Sequence, residues 1–285
     1  MKLIGLMLAR NEQWVIGCSL RAALKWCDAV VVIDHSSTDD TAKIVLDCAF
    51  ESEGRVILHH WHDTEQWDEM DVRQKSLEIG RKAGGTHFAI VDCDEVLTAN
   101  VIPSIREEFE WLYPAQCIEV PMLAMRDLGH YQDDETVWSR AWLTLGFRDD
   151  PKLSWKPQED GYHFHARPPH GVLESGRRYL ADKSQGGAMH LQFANKRRLV
   201  AKHAHYAATE WIRWPNHRGM VGINETYAQA LQPVMGLRTM PEAWWDGLQV
   251  DKINLDDVPW HEQDLQRLIS KHGREFFSGI DLKGY

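Results

Sequence analysis

Short apolar runs alternate with amphipathic segments along the first third of the chain. The apolar runs lie at residues 2–9, 29–33, 55–59 and 88–91. Apolar residues recur at helical spacing over residues 14–26, 41–48 and 72–83. Uninterrupted apolar runs of this length are typical of strands buried on both faces. Because they alternate with helical segments, the pattern predicts an α/β fold built on a mostly parallel sheet with right-handed crossovers.

The pattern is less regular beyond residue 100. Strands are predicted at residues 117–122 and 142–147, and a long polar segment rich in Asp, Pro, Gly and His follows. Long irregular segments in a compact domain usually carry function. Helical spacing returns over residues 195–232, broken at Pro215, and over 260–277. We therefore expect a catalytic domain at residues 1–205 and a helical C-terminal extension at 206–285, which is a candidate for acceptor binding.

Composition narrows the class of protein. The 285 residues carry a formal net charge of −10, which opposes non-specific binding to nucleic acid or anionic lipid. No apolar stretch approaches the roughly 20 residues of a membrane span, and the first residues continue directly into a strand pattern. The five cysteines show no Cys-x-x-Cys spacing. We expect a cytoplasmic protein with reduced, buried thiols.

Aromatic residues are unusually frequent, with 13 tryptophans. Many of them follow residue 130, and their spacing fits neither a repeat nor a zinc module. Aromatic side chains at a surface stack on sugars or bases, whereas in a core they only fill space. Composition leaves both interpretations open.

The strongest chemical signal follows the apolar run at 88–91, where Asp92, Cys93, Asp94 and Glu95 succeed one another. Carboxylates at the tip of a buried strand are oxygen ligands of the kind that Mg²⁺ and Mn²⁺ prefer. Ligands of open α/β sheets bind at the carboxyl ends of the strands. Taken alone, the same residues also fit a solvated acidic turn.

Two further segments lie where a predicted strand ends. They are residues 8–12 (Leu-Ala-Arg-Asn-Glu) and 34–41 (Asp-His-Ser-Ser-Thr-Asp-Asp-Thr). Together with the Asp-x-Asp tripeptide, in this order and spacing, they make the chain resemble the family-2 glycosyltransferases of the GT-A fold. The resemblance covers residues 2–97 well and continues more loosely to residue 206. It implies a Rossmann-like domain that binds a nucleotide-sugar, most often a UDP-sugar, together with Mn²⁺ or Mg²⁺.

The resemblance assigns donor-binding roles by position. Ala9, Arg10 and Glu12 would border the nucleotide. Asp34 would accept hydrogen bonds from the base or ribose, although an Asx turn that caps the next helix is the alternative. Arg73 would face the nucleotide phosphates, with a solvated helix charge as its alternative.

The metal would be held at the Asp-x-Asp motif. Asp94 would be the principal ligand, and Asp92 would lie nearer the ribose or reach the metal through water. His190, which precedes a basic helical segment, would supply a further ligand. Lys202 and Tyr206 share one helix face and would close over the diphosphate.

The implied reaction transfers a sugar to an acceptor hydroxyl, with inversion by direct displacement. Such a reaction needs one carboxylate base, and our choice is Asp160, with Glu159 as its neighbour; Gly161 allows a sharp backbone turn beside them. Other candidates are Asp133, Asp134 and His165. The acceptor is a glycan or, less in keeping with the composition, a hydroxylated base in phage-type DNA.

Two other function classes fit parts of the sequence. A haloacid-dehalogenase-like phosphatase would use Asp92 as nucleophile and Asp94 as general acid, but that motif usually lies near the N-terminus. A non-catalytic nucleotide- or nucleic-acid-binding module would use the basic and aromatic residues of segment 196–218. These residues are Lys196, Arg197, Arg198, Lys202, Arg213 and Arg218, interleaved with Tyr206, Trp211 and Trp214.

Overall fold

The computed structural model describes residues 1–62, 68–156, 167–173 and 176–285. The strands are β1 (Leu3–Ala9), β2 (Ala29–Asp34), β3 (Val56–His60), β4 (His87–Ile90), β5 (Glu95–Leu97), β6 (Cys117–Ala124), β7 (His130–Gln132), β8 (Trp142–Arg148), β9 (Arg177–Arg178), β10 (Ala188–His190) and β11 (Leu237–Thr239). The helices are α1 (Ile16–Ala23), α2 (Thr41–Glu51), α3 (Glu69–Lys82), α4 (Ile102–Glu110), α5 (Lys196–Arg213), α6 (Gly219–Ala228) and α7 (Trp260–His272).

Nine of these strands form one sheet among the described residues. Its order is β3-β2-β1-β4-β8-β6-β10-β5, and β9 adds to β6. The four strands β3, β2, β1 and β4 are parallel, whereas β8 runs antiparallel to β4 and β6. The predicted α/β fold with flanking helices is confirmed, and each of the first four predicted strands is present.

Both faces of the sheet are covered, which explains the uninterrupted apolar runs. In β2, Val30 and Val32 point into one hydrophobic cluster, and the alternate residues Val31 and Ile33 point into the other. Successive side chains of a strand face opposite sides of the sheet. Every position of such a strand is therefore apolar, as the sequence shows.

The short strand β10 enters the sheet through Gly187. This glycine has a φ of 151°, and a Cβ atom built on it would lie 2.2 Å from the carbonyl oxygen of Pro121. A larger residue would push β10 away from β6. The close approach matters because β10 ends at His190.

The C-terminal extension is helical, as predicted. Helix α5 ends just before Pro215, and α7 buries Leu265, Leu268 and Ile269 on one face. Helices α5, α6 and α7 share a cluster of their own. The division predicted between residues 205 and 206 falls inside α5, so it stays a prediction about folding units.

Two expectations from composition can be examined in the structure. All five cysteines are free and buried, as predicted. Among the described residues, no helix combines the length and the apolar character needed to cross a bilayer.

Candidate functional site

The carboxyl ends of the parallel strands bring the predicted residues together. Ala9 at the end of β1 pairs with Asp34 at the end of β2, and Asp92 and Asp94 follow β4 on the other side of β1. Neighbouring parallel strands end at the same edge of a sheet. The first loop, Asp34 and the Asp-x-Asp motif therefore lie along one edge.

Asp94 lies between a histidine and a lysine supplied from later in the chain. Strand β10 pairs with β5, which sets His190 beside Glu95 and its Nε2 atom 3.5 Å from Asp94 Oδ1. Helix α5 brings Lys202 Nζ to 3.4 Å from Asp94 Oδ2. Burial opposes ionisation of Asp94, yet Lys202 and His190 hold its pKa well below the ordinary value. Asp94 is thus a buried carboxylate that stays ionised.

The donor set at Asp94 fits part of a metal site. Among the described residues, no group of three or more His, Cys, Asp or Glu side chains is arranged to hold a metal. Asp94 Oδ1 and His190 Nε2, however, are 3.5 Å apart, and two ligands at that separation, each about 2.1 Å from one ion, subtend roughly 110°. Mg²⁺ sites commonly use one or two protein ligands and complete the shell with substrate phosphates and water. The pair therefore fits two positions of such a shell.

Asp92 and Glu95 are held by two buried arginines. Arg167 Nη1 lies 3.0 Å from Asp92 Oδ2 and 2.7 Å from Glu95 Oε1, and its Nε donates to the Thr144 carbonyl at 2.7 Å. Arg73 Nη2 donates to Asp92 Oδ1 at 3.2 Å. Both carboxylate oxygens of Asp92 thus accept from guanidinium groups.

The sequence predicts Arg73 as a site residue, but it does not predict Arg167. Arg73 was assigned to the donor phosphates; its described contacts are Glu69, at 2.7 Å from Nε, and Asp92, and it is 4% exposed. Its contact with phosphate stays a prediction. Sequence reasoning missed Arg167, which lies in the long polar segment after β8, because no local pattern marks an arginine that folds back onto a distant strand tip.

Asp34 makes local contacts, but it does not cap the next helix, which begins at Thr41. Its Oδ1 atom accepts from the Ser37 amide at 3.3 Å, and its Oδ2 atom lies 3.2 Å from Nδ1 of His60. Asn11, in the left-handed region with a φ of 54°, accepts from the Thr38 amide at 2.7 Å. The loops that follow β1 and β2 are thereby tied together, and a base-binding role for Asp34 stays a prediction.

Glu12, in the loop after β1, has a pKa far from its ordinary value. The indole Nε1 of Trp14 donates to its Oε2 atom at 2.6 Å. Burial and the charge of Asp94 raise the pKa of Glu12 to about 8, although Lys202 opposes the shift. Carboxyl groups with strongly shifted pKa values are concentrated at functional sites. The raised pKa of Glu12 therefore supports its assignment to the site.

The C-terminal tail, for which the sequence offers no chemical role, packs on the same loop. The Asn254 amide donates to the Trp14 carbonyl at 2.7 Å, and Gln13 Nε2 donates to Asp257 Oδ1 at 3.1 Å. The guanidinium of Arg10 stands 5.0 Å from the ring centre of Trp260. The tail thus fixes the loop predicted to border the nucleotide.

The candidates for the catalytic base fall into two groups. Asp160 and Glu159, like His165, lie outside the described residues. Asp133 pairs with Lys183 and with Arg238, each at 2.7 Å. Asp134 accepts hydrogen bonds that lower its pKa to about 2 despite desolvation. Asp133 and Asp134 are therefore engaged in bonds of the β7 region.

Comparisons with known proteins give matches to solved structures only, at low identity and with TM-scores below 0.5. No family model matches the chain, and no curated protein matches it. Crystal structures of S. aureus TarS 1-349 match at 17% identity over 50% of this chain, with a TM-score of 0.36, for the complex with UDP, and at 13% over 98%, with a TM-score of 0.44, for a second structure. These alignments span 43% and 83% of the respective TarS chains.

A crystal structure of glucosyl-3-phosphoglycerate synthase from Mycobacterium tuberculosis, in complex with Mn²⁺, UDP and glucosyl-3-phosphoglycerate, matches at 20% identity. The alignment covers 33% of this chain and 34% of that one, with a TM-score of 0.25. At these values the function has to be argued from this chain's own residues.

Proposed function

We propose that this protein is a metal-dependent glycosyltransferase of the GT-A type that moves a sugar from a UDP-sugar to an acceptor hydroxyl. The observation that carries the proposal is the buried, ionised Asp94 between His190 and Lys202, at the sheet edge that also holds Asp34. A nucleotide-sugar needs contacts for a base at one end and for a diphosphate at the other. The two ends of this edge supply both kinds of contact.

Each side chain then has a role that follows from its chemistry. Asp34, with the loop of Ala9, Arg10 and Glu12, would bind base and ribose. Asp94 and His190 would hold Mn²⁺ or Mg²⁺, which when bound neutralises the negative charge that develops on the departing diphosphate. Lys202 keeps an ammonium group beside the same oxygens, since the ionised Asp94 keeps its pKa raised in spite of burial.

For the acceptor side we retain Asp160, with Glu159, as the base of an inverting displacement. They precede Arg167 by seven and eight residues, and Arg167 contacts Asp92. This connection supports a base near the site. A glycan acceptor fits the acidic chain better than DNA does.

The two competing function classes find less support. A phosphatase nucleophile needs a free carboxylate oxygen, whereas both oxygens of Asp92 accept from arginines. A nucleic-acid-binding surface needs exposed cations. Arg198 is instead 4% exposed and stands 4.2 Å from the ring centre of Trp14, and Lys202 pairs with Asp94.

The proposal is tested by turnover of the donor. Incubation with UDP-sugars and Mn²⁺ should release UDP, and chelation of the metal should stop the release. Asp94→Asn should lower the rate at least a hundredfold, the scale expected when charge stabilisation at the leaving group is lost. Asp251→Asn, a change at an acid whose side chain is 72% exposed, is the matched control. Full activity of Asp94→Asn would refute the assignment.

A further inference from the structure

Tyr206 lies beside the candidate site, and the roles proposed above give its ring no contact with the ligand. It follows Lys202 by one turn of α5, and Lys202 Nζ lies 5.8 Å from the centre of its ring. The same Nζ atom is 3.4 Å from Asp94 Oδ2. The ring is therefore one side chain away from the acid at the diphosphate end of the site.

Tyr206 is partly open to solvent. Its accessible fraction is 41%, whereas its neighbours His203 and His205 on α5 are buried. Burial of its hydroxyl raises the pKa of that group, with Lys202 opposing the shift. A ring that is partly exposed beside buried polar residues is available to a ligand.

The ring of Tyr206 is held in one orientation. Tyr227 and His261 meet it at steep angles of 62° and 79°, each with ring centres 6.2 Å apart. Such edge-to-face contacts are favourable arrangements of aromatic rings. A ring fixed before the ligand arrives loses little freedom on binding, which favours affinity.

The position of Tyr206 along the site selects the ligand group that it meets. Asp34 ends β2, and β1 separates β2 from β4, so the base end and the Asp94 end lie roughly 10 Å apart at two strand spacings. Lys202, whose Nζ atom lies 5.8 Å from the centre of the Tyr206 ring, pairs with Asp94 at 3.4 Å, which assigns Tyr206 to the Asp94 end. A nucleotide-sugar laid from Asp34 past Asp94 has its sugar there.

The surroundings of Tyr206 match the chemistry of a sugar ring. A pyranose has an apolar C–H face, which an aromatic ring can cover, and hydroxyl groups, which need charged or polar partners at the rim. Lys202 supplies a charged group of this kind beside the ring. On the basis of the function proposed above, we propose that Tyr206 forms one wall of a pyranose subsite and stacks on the apolar face of the transferred or accepting sugar.

The test compares Tyr206→Ala and Tyr206→Phe by titration with UDP and with UDP-sugars in Mn²⁺, and by KM for a glycan acceptor. Tyr206→Ala should keep UDP affinity within about twofold, because the proposal assigns the ring to the sugar and not to the diphosphate over which the sequence predicted it to close. The same variant should weaken sugar recognition roughly tenfold, the scale of one ring stacked on an aromatic residue. Tyr206→Phe should retain most of it. Tyr113→Ala, at a tyrosine that is 72% exposed, is the matched control and should change neither quantity.

The results show whether the sugar belongs to the donor or to the acceptor, and they separate failure of the stacking role from failure of the proposed function. A loss confined to UDP-sugar affinity assigns the subsite to the donor sugar, and a loss confined to acceptor KM assigns it to the acceptor. Equal loss of UDP affinity, or a Phe variant as impaired as Ala, overturns the stacking role. If the wild-type protein binds no nucleotide, the proposed function fails. Free maltose, cellobiose and chitobiose then test the subsite, and it is overturned unless one of them stabilises wild type and not Tyr206→Ala.

Discussion

Replacing Arg167 by Met should lower the free energy of unfolding, because Glu95 and Asp92 would lose the cation that neutralises them. Arg167 contacts both oxygens of Glu95, which is 4% exposed, and one oxygen of Asp92. Methionine retains much of the apolar stem but none of the hydrogen-bond donors. Removing one partner of a buried ion pair costs about 3–5 kcal/mol, because the other charge stays buried without compensation. For a chain of this size that corresponds to a fall of roughly 6–20 °C in melting temperature.

Urea unfolding and thermal melts of wild type, Arg167→Met and Arg167→Lys measure this effect. Lysine keeps the charge but lacks the planar fork, so its loss should be intermediate. Arg178→Met is the matched control, since that side chain is 62% exposed and 3.6 Å from Glu119; it should cost less than about 1 kcal/mol. A loss of under 1 kcal/mol for Arg167→Met would refute the view that this arginine neutralises the strand-tip acids.

Three further results are expected. Because the pKa of Glu12 is raised to about 8, the folded state binds more protons than the unfolded state between pH 4.5 and 8, and the free energy of unfolding should fall as the pH rises through that window. Glu12→Gln should make the urea midpoint depend less on pH in this range, whereas the control Glu53→Gln should not. His261 is buried, with a pKa far below its ordinary value, so stability should be lost as the pH falls below about 6.5, and His261→Gln should reduce that loss in thermal melts. Trp260→Leu should weaken UDP binding about threefold to tenfold by releasing the cation–π contact that positions the first loop, whereas Trp111→Leu should not, as calorimetric titration would show.

The parts of the fold that the sequence predicted are those with a local signature. Strands β1, β2 and β4 are almost fully buried and β3 is buried in part, so each produces an apolar run, and the acids at the ends of β2 and β4 lie close by in the chain. Strands β5 and β10 have three residues each, too few to show a period.

Long-range contacts leave no such signature. Gln13 and Asp257 are 244 residues apart, and Arg167 reaches Glu95 across 72 residues. These contacts arise from tertiary packing, so neither the tail on the first loop nor the arginine over the acids was visible in the spacing of residues. His190 was expected at the site through the family resemblance, and its pairing opposite Glu95 gives that expectation a physical basis.

The most direct test of the account is calorimetric titration of the wild-type protein with UDP, with and without Mn²⁺, repeated on Asp94→Asn. The account predicts binding that requires the metal and is lost in the variant, because Asp94 and His190 hold the ion that meets the diphosphate. Equal UDP affinity in a chelator and in Mn²⁺, or unchanged metal-dependent binding by Asp94→Asn, would contradict it.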